Sequence, residues 1–240
     1  MTGVLLAIDT ATSRAILALG QPDDGRPLVL SDWPAGHAHA ETLLPRLSDL
    51  LTEADVKLDA VVGVVVGIGP GGFTGLRIGL ATAKTLAHGL RQPIVGISSA
   101  AALAAASGID GPATVILPAG PRDRYLVAVP DLETRAVAAP DARLVAPAAL
   151  EAWLADAAAS DVDGATIVAV DVDDAMIPVA ARERGAAALG RLGAALLQLG
   201  AAALAAGRTD DAATLVPAYV SLPRGIADAS VEAAWSPALR

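Results

Sequence analysis

Thirteen residues, GIGPGGFTGLRIG at positions 67 to 79, contain six glycines and one proline and follow the apolar run AVVGVVV. Glycine is concentrated in this way where the backbone turns tightly or approaches another group closely, and loops that bind phosphates occupy this position between a strand and a helix. The first six residues also match the dinucleotide-binding pattern G-x-G-x-x-G. The sequence therefore raises the question of whether a nucleotide binds here.

Two nucleotide-binding interpretations are excluded by the residues that follow. A dinucleotide site needs an acid about 20 residues after the glycines to bind the ribose, and no Asp or Glu occurs between Ala60 and Ile109. A Walker loop ends in Gly-Lys-Ser/Thr, whereas this chain has G-L-R at positions 75 to 77. Two interpretations stay open: the free N–H groups of a helix that begins at Thr74 hold an anion, or the glycines only turn the chain into that helix.

The segment HAHAE brings His37, His39 and Glu41 close together in the sequence and raises the question of a metal site. Their spacing would splay the side chains across a strand or around a helix, and His88 is the only other histidine. A metal site usually needs three or four ligands that converge on one point. We therefore predict no metal site, and no catalytic residue, because a serine, histidine and acid in a recognisable arrangement are also lacking.

The 240-residue chain has a formal net charge of −9 and no cysteine. This acidity argues against nonspecific binding to nucleic acid or anionic membranes, because such binding neutralises phosphates with Lys and Arg. The lack of cysteine excludes disulfides and suits a reducing cytoplasm. The start, MTGVLLAIDT, has no basic leader region, and the apolar residues 192 to 207 are too few to span a membrane. We expect these residues to form a buried or half-buried helix.

The elements that position the glycine loop alternate between strands and helices. The predicted order is a two-stranded hairpin, an amphipathic helix, a buried strand, a helix and a strand, at residues 4 to 8, 14 to 19, 38 to 54, 60 to 66, 75 to 90 and 93 to 97. In the first helix Thr42 is the expected N-cap, and Pro45 fits the first turn. The second half repeats the alternation, which predicts a two-lobed α/β protein.

We place the first lobe at residues 1 to 108, the second at 109 to 223 and a tail at 224 to 240. This division is compatible with a last helix of the second lobe that packs back on the first lobe. The boundary lies near the GIDGPA segment, where the composition changes to turn-forming residues.

The helix after the glycine loop has a face of very small residues. Gly75, Gly79, Ala83 and Ala87 recur every four residues, and Arg77, Lys84 and Arg91 follow an adjacent line. Small residues allow another element to approach closely, and cations in an otherwise acidic chain suit an acidic helical partner. The alternative is that this face packs on the protein's own sheet and the cations are solvated.

Four stretches resemble the TsaB family, whose members take part in the biosynthesis of threonylcarbamoyladenosine in tRNA. They are LLAIDTATSRAILALG, HAHAETLLPRLSDLL, VVGIGPGGFTGLRIGLATAKTLAHGL and PIVGISSAAALA, which cover nearly all of residues 4 to 105. Beyond residue 110 only VPAYVSLP is similar to the family. The resemblance implies the actin-like ATPase (ASKHA) superfamily fold, an α/β fold of two ribonuclease-H-like lobes with mixed sheets flanked by helices.

The resemblance implies a noncatalytic subunit that binds and activates a TsaD-type threonylcarbamoyl transferase. A TsaE-type ATPase would join through the complex, a homodimer would form when the chain is alone, and tRNA would be contacted only indirectly. No membrane and no cofactor of its own are implied, because ATP and metal are expected on the partner subunits. Two alternatives stay open: an ASKHA-type ATPase or kinase with a degenerate phosphate site, and a self-associating structural protein.

The resemblance also implies which residues form the sites. The expected partner-binding residues are Leu44, Leu51, Gly75, Arg77, Gly79, Ala83, Lys84 and Ala87. A weak nucleotide or anion contact is expected from Asp9, Thr10, Thr12, Gly71 and Gly72. The turn DTATS lacks the glycine that active members of the superfamily have, and Pro118 stands about where a second acid would lie.

Overall fold

The computed structural model describes residues 3–36, 39–130, 141–159 and 166–220. Nine strands and six helices are defined within these residues. In chain order they are β1 (Val4–Asp9), β2 (Arg14–Gly20), β3 (Pro27–Pro34), α1 (His39–Glu53), β4 (Val61–Gly67), α2 (Phe73–Leu90), β5 (Ile94–Ile97), α3 (Ser99–Ala106), β6 (Ala113–Pro118), β7 (Arg124–Val129), β8 (Asp141–Val145), α4 (Pro147–Ala159), β9 (Ile167–Ala169), α5 (Val179–Leu189) and α6 (Leu192–Ala205).

The first sheet has five strands in the order β3-β2-β1-β4-β5. Its centre is the predicted hairpin of β1 and β2, which are antiparallel, and β4 lies parallel to β1 on the other side. All six residues of β1 are buried, and β4 is buried over most of its length, as expected for strands that are covered on both faces. The hairpin turn and the loop after β4 therefore emerge at the same edge of the sheet.

The second sheet has four strands in the order β8-β7-β6-β9, with β6 antiparallel to β7 and parallel to β9. The predicted α/β class with two mixed sheets flanked by helices is confirmed. Strands β3 and β8 were not predicted, because they are edge strands with many exposed positions and lack a clear apolar alternation.

The two sheets share one hydrophobic core, in which α3 and α6 contribute most of the helical residues. The cluster contains Val65 of the first sheet, Val115 of the second sheet and Leu196 of α6. Helix α6 packs on the strands of the first sheet although it follows the second sheet in the chain. Its small residues allow this, since a side chain on Gly200 would overlap Val65.

The helix predicted over the apolar residues 192 to 207 is observed as α6, and a second alanine-rich helix, α5, precedes it. Helix α5 ends at Leu189 and α6 begins at Leu192, and the two axes differ by 65°. Among the described residues, no single helix is long and apolar enough to cross a membrane; α5 and α6 meet that criterion only as a bent pair.

Helix α1 covers nearly the whole predicted range of 38 to 54, but it begins before the expected N-cap, Thr42. It starts at His39, so Pro45 lies inside the helix and Thr42 is not its N-cap. Pro45 is tolerated because both its side chain and that of Glu41, whose carbonyl loses its hydrogen bond, lie on the exposed face. The Thr42 hydroxyl instead accepts a hydrogen bond of 3.1 Å from Trp33 Nε1 and so joins α1 to β3.

Candidate functional site

The β1–β2 turn and the glycine loop after β4 are in direct contact. The Gly72 N–H donates a hydrogen bond of 2.8 Å to the Ala11 carbonyl oxygen. A side chain on Gly71 would overlap that same carbonyl group, so the backbones meet at a distance that only glycine permits. The two loops therefore leave no space for a phosphate between Gly71 and Ala11.

Asp9 is fully buried at this junction. Its Oδ2 accepts a hydrogen bond of 2.6 Å from Ser99 Oγ, and its Oδ1 accepts one of 2.8 Å from the Ala11 N–H. Ser99 Oγ in turn accepts from the Gly69 N–H at 3.0 Å. Burial raises the pKa of Asp9, and the hydrogen bonds from Ser99 and Ala11 counter part of that rise. This carboxyl group joins three segments of its own chain rather than facing a ligand.

The two threonines of the turn are also used internally. Thr10 Oγ1 donates to the Gly75 carbonyl oxygen at 2.7 Å, and Thr12 Oγ1 donates to the Arg14 carbonyl oxygen at 3.1 Å. The structure thus brings together the five residues expected to contact an anion, since Thr10 reaches α2 and Gly72 reaches the turn. Their hydrogen bonds, however, hold the loops to each other.

The small-residue face of α2 points inward. Gly75, Gly79, Ala83 and Ala87 are all buried, and a side chain on Gly79 would overlap the hydroxyl of Thr10. The expectation that these four residues contact a partner was wrong, because the first sheet and the β1–β2 turn already cover them. The alternative, in which this face packs on the protein's own sheet, is the observed one.

The sides of α1 and α2 that face away from the first sheet are exposed to solvent. Leu44 is 57% exposed and Leu51 is half-buried; their spacing of seven residues puts both on one flank of α1. On α2, Ala81 and Thr85 are exposed and Ile78 is half-buried. We call these five residues the α1–α2 surface.

The cations of α2 hold a C-terminal strap, which we define as residues 208–219. Lys84 Nζ donates hydrogen bonds to the carbonyl oxygens of Ala213 at 3.4 Å and Leu215 at 3.1 Å. Lys84 thus holds the strap to α2, and its role in partner binding stays a prediction. The strap also crosses the edge strand β5, where Asp210 Oδ2 accepts from the Gly96 N–H at 2.7 Å. Apart from the VPAYVSLP segment, no pattern in the sequence predicted this strap.

The strap ends beside a cavity of about 410 Å³ that also touches the start of α2 and the β6–β7 turn. Aromatic and proline side chains dominate its wall, including Phe73, Tyr125, Tyr219 and Pro118. Among the residues that the structure describes, Asp123 is the one acid that lines the cavity, and no lysine, arginine or histidine does so.

The loop after β9 joins the second sheet to the β1–β2 turn. Asp171, whose φ is 56°, accepts hydrogen bonds from the Ser13 N–H at 2.7 Å and from Ser13 Oγ at 2.8 Å. Asp173 of the same loop pairs with Arg182 at 3.2 Å. Sequence reasoning missed Asp171, although the DVDD segment after a buried strand was the available signal.

The residues that raised the question of a metal site are only partly described. His37 and the side chain of His39 lie outside the described residues, and Glu41 is exposed in the first turn of α1. In the described part of the chain, no group of three or more His, Cys, Asp and Glu side chains is placed to bind a metal ion.

Comparison with known proteins identifies the family of this chain. The family model described as "TsaD: tRNA N6-adenosine threonylcarbamoyltransferase" matches residues 34–171. The Escherichia coli K12 protein named tRNA threonylcarbamoyladenosine biosynthesis protein TsaB is 35% identical over 115 residues, which are 48% of each chain. The Bacillus subtilis 168 protein of the same name is 36% identical over 103 residues, or 42% of this chain and 43% of that one. The chain thus spans about half the length of the curated relatives it matches.

The fold comparison covers far more of the chain. A solved structure titled "YeaZ from Pseudomonas aeruginosa" superimposes with a TM-score of 0.62 and 25% identity, over 90% of this chain and 99% of that chain. The sequence matches, the family model and this structural likeness agree, and the chain belongs to the TsaD family, within its TsaB/YeaZ branch.

Proposed function

We propose that this protein is a noncatalytic subunit in the synthesis of tRNA threonylcarbamoyladenosine, which binds and activates a TsaD-type transferase. That enzyme would move the threonylcarbamoyl group from its adenylate to the tRNA adenosine beside the anticodon. A TsaE-type ATPase joins through the complex, and the tRNA is contacted mainly by the partners. The names of the E. coli and B. subtilis relatives support the pathway.

The observation that best supports a noncatalytic role is the closed contact between the β1–β2 turn and the glycine loop. The Gly72 N–H is bonded to the Ala11 carbonyl, and Gly71 packs directly on it. Asp9, the acid expected to contribute to a weak nucleotide or anion contact, is fully buried and accepts two internal hydrogen bonds. ATP and metal are therefore assigned to the partner subunits.

The shared core supports the same proposal. Catalytic cycles that close a cleft need two lobes that move as separate bodies, whereas here both sheets and helices α3 and α6 belong to one buried cluster. A rigid body of this kind is suited to hold a partner in one conformation. It acts by binding that conformation better than others, which shifts the partner's population.

The α1–α2 surface is the proposed docking site for the transferase. It offers apolar side chains, with Leu44 more than half exposed, on two helices that the first sheet and the β1–β2 turn hold firmly from behind. Exposed apolar groups on a rigid support favour protein contacts. The same surface would pair two copies of the chain when the transferase is absent.

Size-exclusion chromatography with light scattering on a mixture with the cognate transferase tests this proposal. We expect a complex of the two chains, and we expect Leu44→Glu to abolish it because a carboxylate would be buried at an apolar contact. Val179→Glu is the matched control, since Val179 is 59% exposed but lies at the start of α5. Equal complex formation by Leu44→Glu and the wild type would reject this docking surface.

A further inference from the structure

Arg77 is an exposed residue of α2 that two aromatic rings hold in one position. Its guanidinium carbon lies 4.0 Å from the centroid of the Phe73 ring. Its Nε donates a hydrogen bond of 3.1 Å to the hydroxyl oxygen of Tyr219 in the strap. The two rings contact each other, with centroids 5.4 Å apart. The stem, Nε and one face of the guanidinium group are therefore held in place, and the two terminal nitrogens form the tip of this exposed side chain.

The tip of Arg77 has no acidic partner within the part of the chain that the structure describes. The ion pairs found there use Arg14, Arg124 and Arg182. No acid occurs anywhere in the sequence between Ala60 and Ile109, so α2 itself supplies none. Arg77 differs from these three residues because aromatic side chains, and no described carboxylate, hold its guanidinium group.

A fixed and unpaired guanidinium group is prepared to bind an anion. Its two terminal nitrogens can donate a parallel pair of hydrogen bonds to a carboxylate, a geometry that lysine cannot offer. Because the stem is already ordered, binding loses less side-chain entropy than it would for a free arginine. The net charge of the whole chain indicates which kind of anion Arg77 binds.

We propose that Arg77 binds an aspartate or glutamate carboxylate of the transferase partner, and that Phe73 and Tyr219 are its positioning residues. This inference rests on the proposed function and names a contact beyond the α1–α2 surface. A protein carboxylate is favoured over an RNA phosphate because the chain's net charge of −9 opposes approach to RNA. The strap then contributes to partner binding, because Tyr219 orients Arg77, which contacts the partner.

Affinity measurements with the cognate transferase test the proposal. We expect Arg77→Ala to weaken binding by about tenfold or more, and Arg77→Lys to recover only part of the loss. Tyr219→Phe should weaken binding by a smaller factor, because the guanidinium group remains but is no longer held through Nε. The binding constant of the wild type should also fall more steeply with added salt than that of Arg77→Ala.

Arg46→Ala is the matched control. Arg46 is an exposed arginine of α1 that lies 5.5 Å from the ring centroid of Trp33, and its loss should leave the affinity within about twofold. Circular dichroism would verify that each variant is folded.

Three results would overturn the inference. The first is equal transferase affinity and salt dependence for wild type and Arg77→Ala, which leaves the proposed function intact. The second is loss of tRNA affinity by Arg77→Ala with unchanged transferase affinity, which would make the anion an RNA phosphate. Failure of the wild type to bind the transferase would reject the proposed function and this inference together.

Discussion

Ser13 donates two hydrogen bonds to the carboxylate of Asp171, one from its backbone N–H at 2.7 Å and one from Oγ at 2.8 Å. The pair joins the β1–β2 turn of the first sheet to the loop after β9 of the second sheet. It lies beside the closed junction of the turn and the glycine loop. The same turn is thus held on one side by Gly72 and on the other by Asp171.

The first prediction concerns this pair. Asp171→Asn should lower the free energy of unfolding by about 1 kcal/mol, because the amide keeps one acceptor oxygen for two donors and loses the charge. Asparagine tolerates the positive φ at this position, so backbone strain is not added. Urea denaturation gives the free-energy difference.

Asp173→Asn is the control for that measurement. Asp173 is fully exposed, and its carboxylate pairs with Arg182 of α5, so its loss should leave the stability nearly unchanged. Equal effects of the two substitutions would show that the Ser13–Asp171 pair contributes nothing particular.

The second prediction concerns the titration of Asp9. Its pKa in the folded state is raised above the ordinary value of 3.8, mainly by burial. The folded state therefore holds this proton more tightly than the unfolded state, and the contribution of Asp9 to stability is greatest below 3.8 and falls as the pH rises through the folded-state pKa. Asp9→Asn has no such titration.

The stability of Asp9→Asn relative to the wild type should consequently improve as the pH is raised from acid to neutral. Urea denaturation of both proteins across this range measures the difference at each pH, and the other titrating groups cancel in it. A difference that stays constant, or that moves against Asp9→Asn at higher pH, contradicts the raised pKa.

The third prediction concerns the inward face of α2. Gly79→Ala should cost about 1 to 3 kcal/mol, because the added methyl group overlaps the buried hydroxyl of Thr10, which is hydrogen-bonded to Gly75. Gly89→Ala in the same helix has open space around it and should stabilise the protein by about 0.5 to 1 kcal/mol. Thermal unfolding compares the two, and a gain of stability of the same size in both would place the Gly79 face in solvent.

The fourth prediction concerns nucleotides. Titration calorimetry with ATP and magnesium should give no binding tighter than about millimolar, since the contact of Gly71 and Gly72 with Ala11 leaves no room for a phosphate. Micromolar affinity would favour the alternative of an ATPase or kinase with a degenerate phosphate site.

Local patterns were sufficient for much of the fold. The run from Val61 to Val66 is apolar on both alternations, and it forms a strand covered on both faces. The hairpin also follows directly from two apolar runs around a polar turn. Edge strand β3 was missed because Ser31, Asp32 and Pro34 break its alternation.

The site depended on contacts that no local pattern contains. The spacing of Gly75 and Gly79 predicts a smooth face on α2 but not what covers it, and the covering residue, Thr10, is 65 positions away from Gly75. Arg77 was expected at a partner surface, but its acceptor Tyr219 lies 142 positions further along the chain. Periodicity describes one element, whereas the partner of each face is decided by the tertiary arrangement.

The most direct test of the account is threonylcarbamoylation of tRNA by the cognate transferase in a purified system that also contains the TsaE-type ATPase, ATP and magnesium. We predict that modification requires this protein, that Leu44→Glu fails to support it, and that Val179→Glu supports it like the wild type. Equal rates with and without this protein would contradict the claim that it activates the transferase.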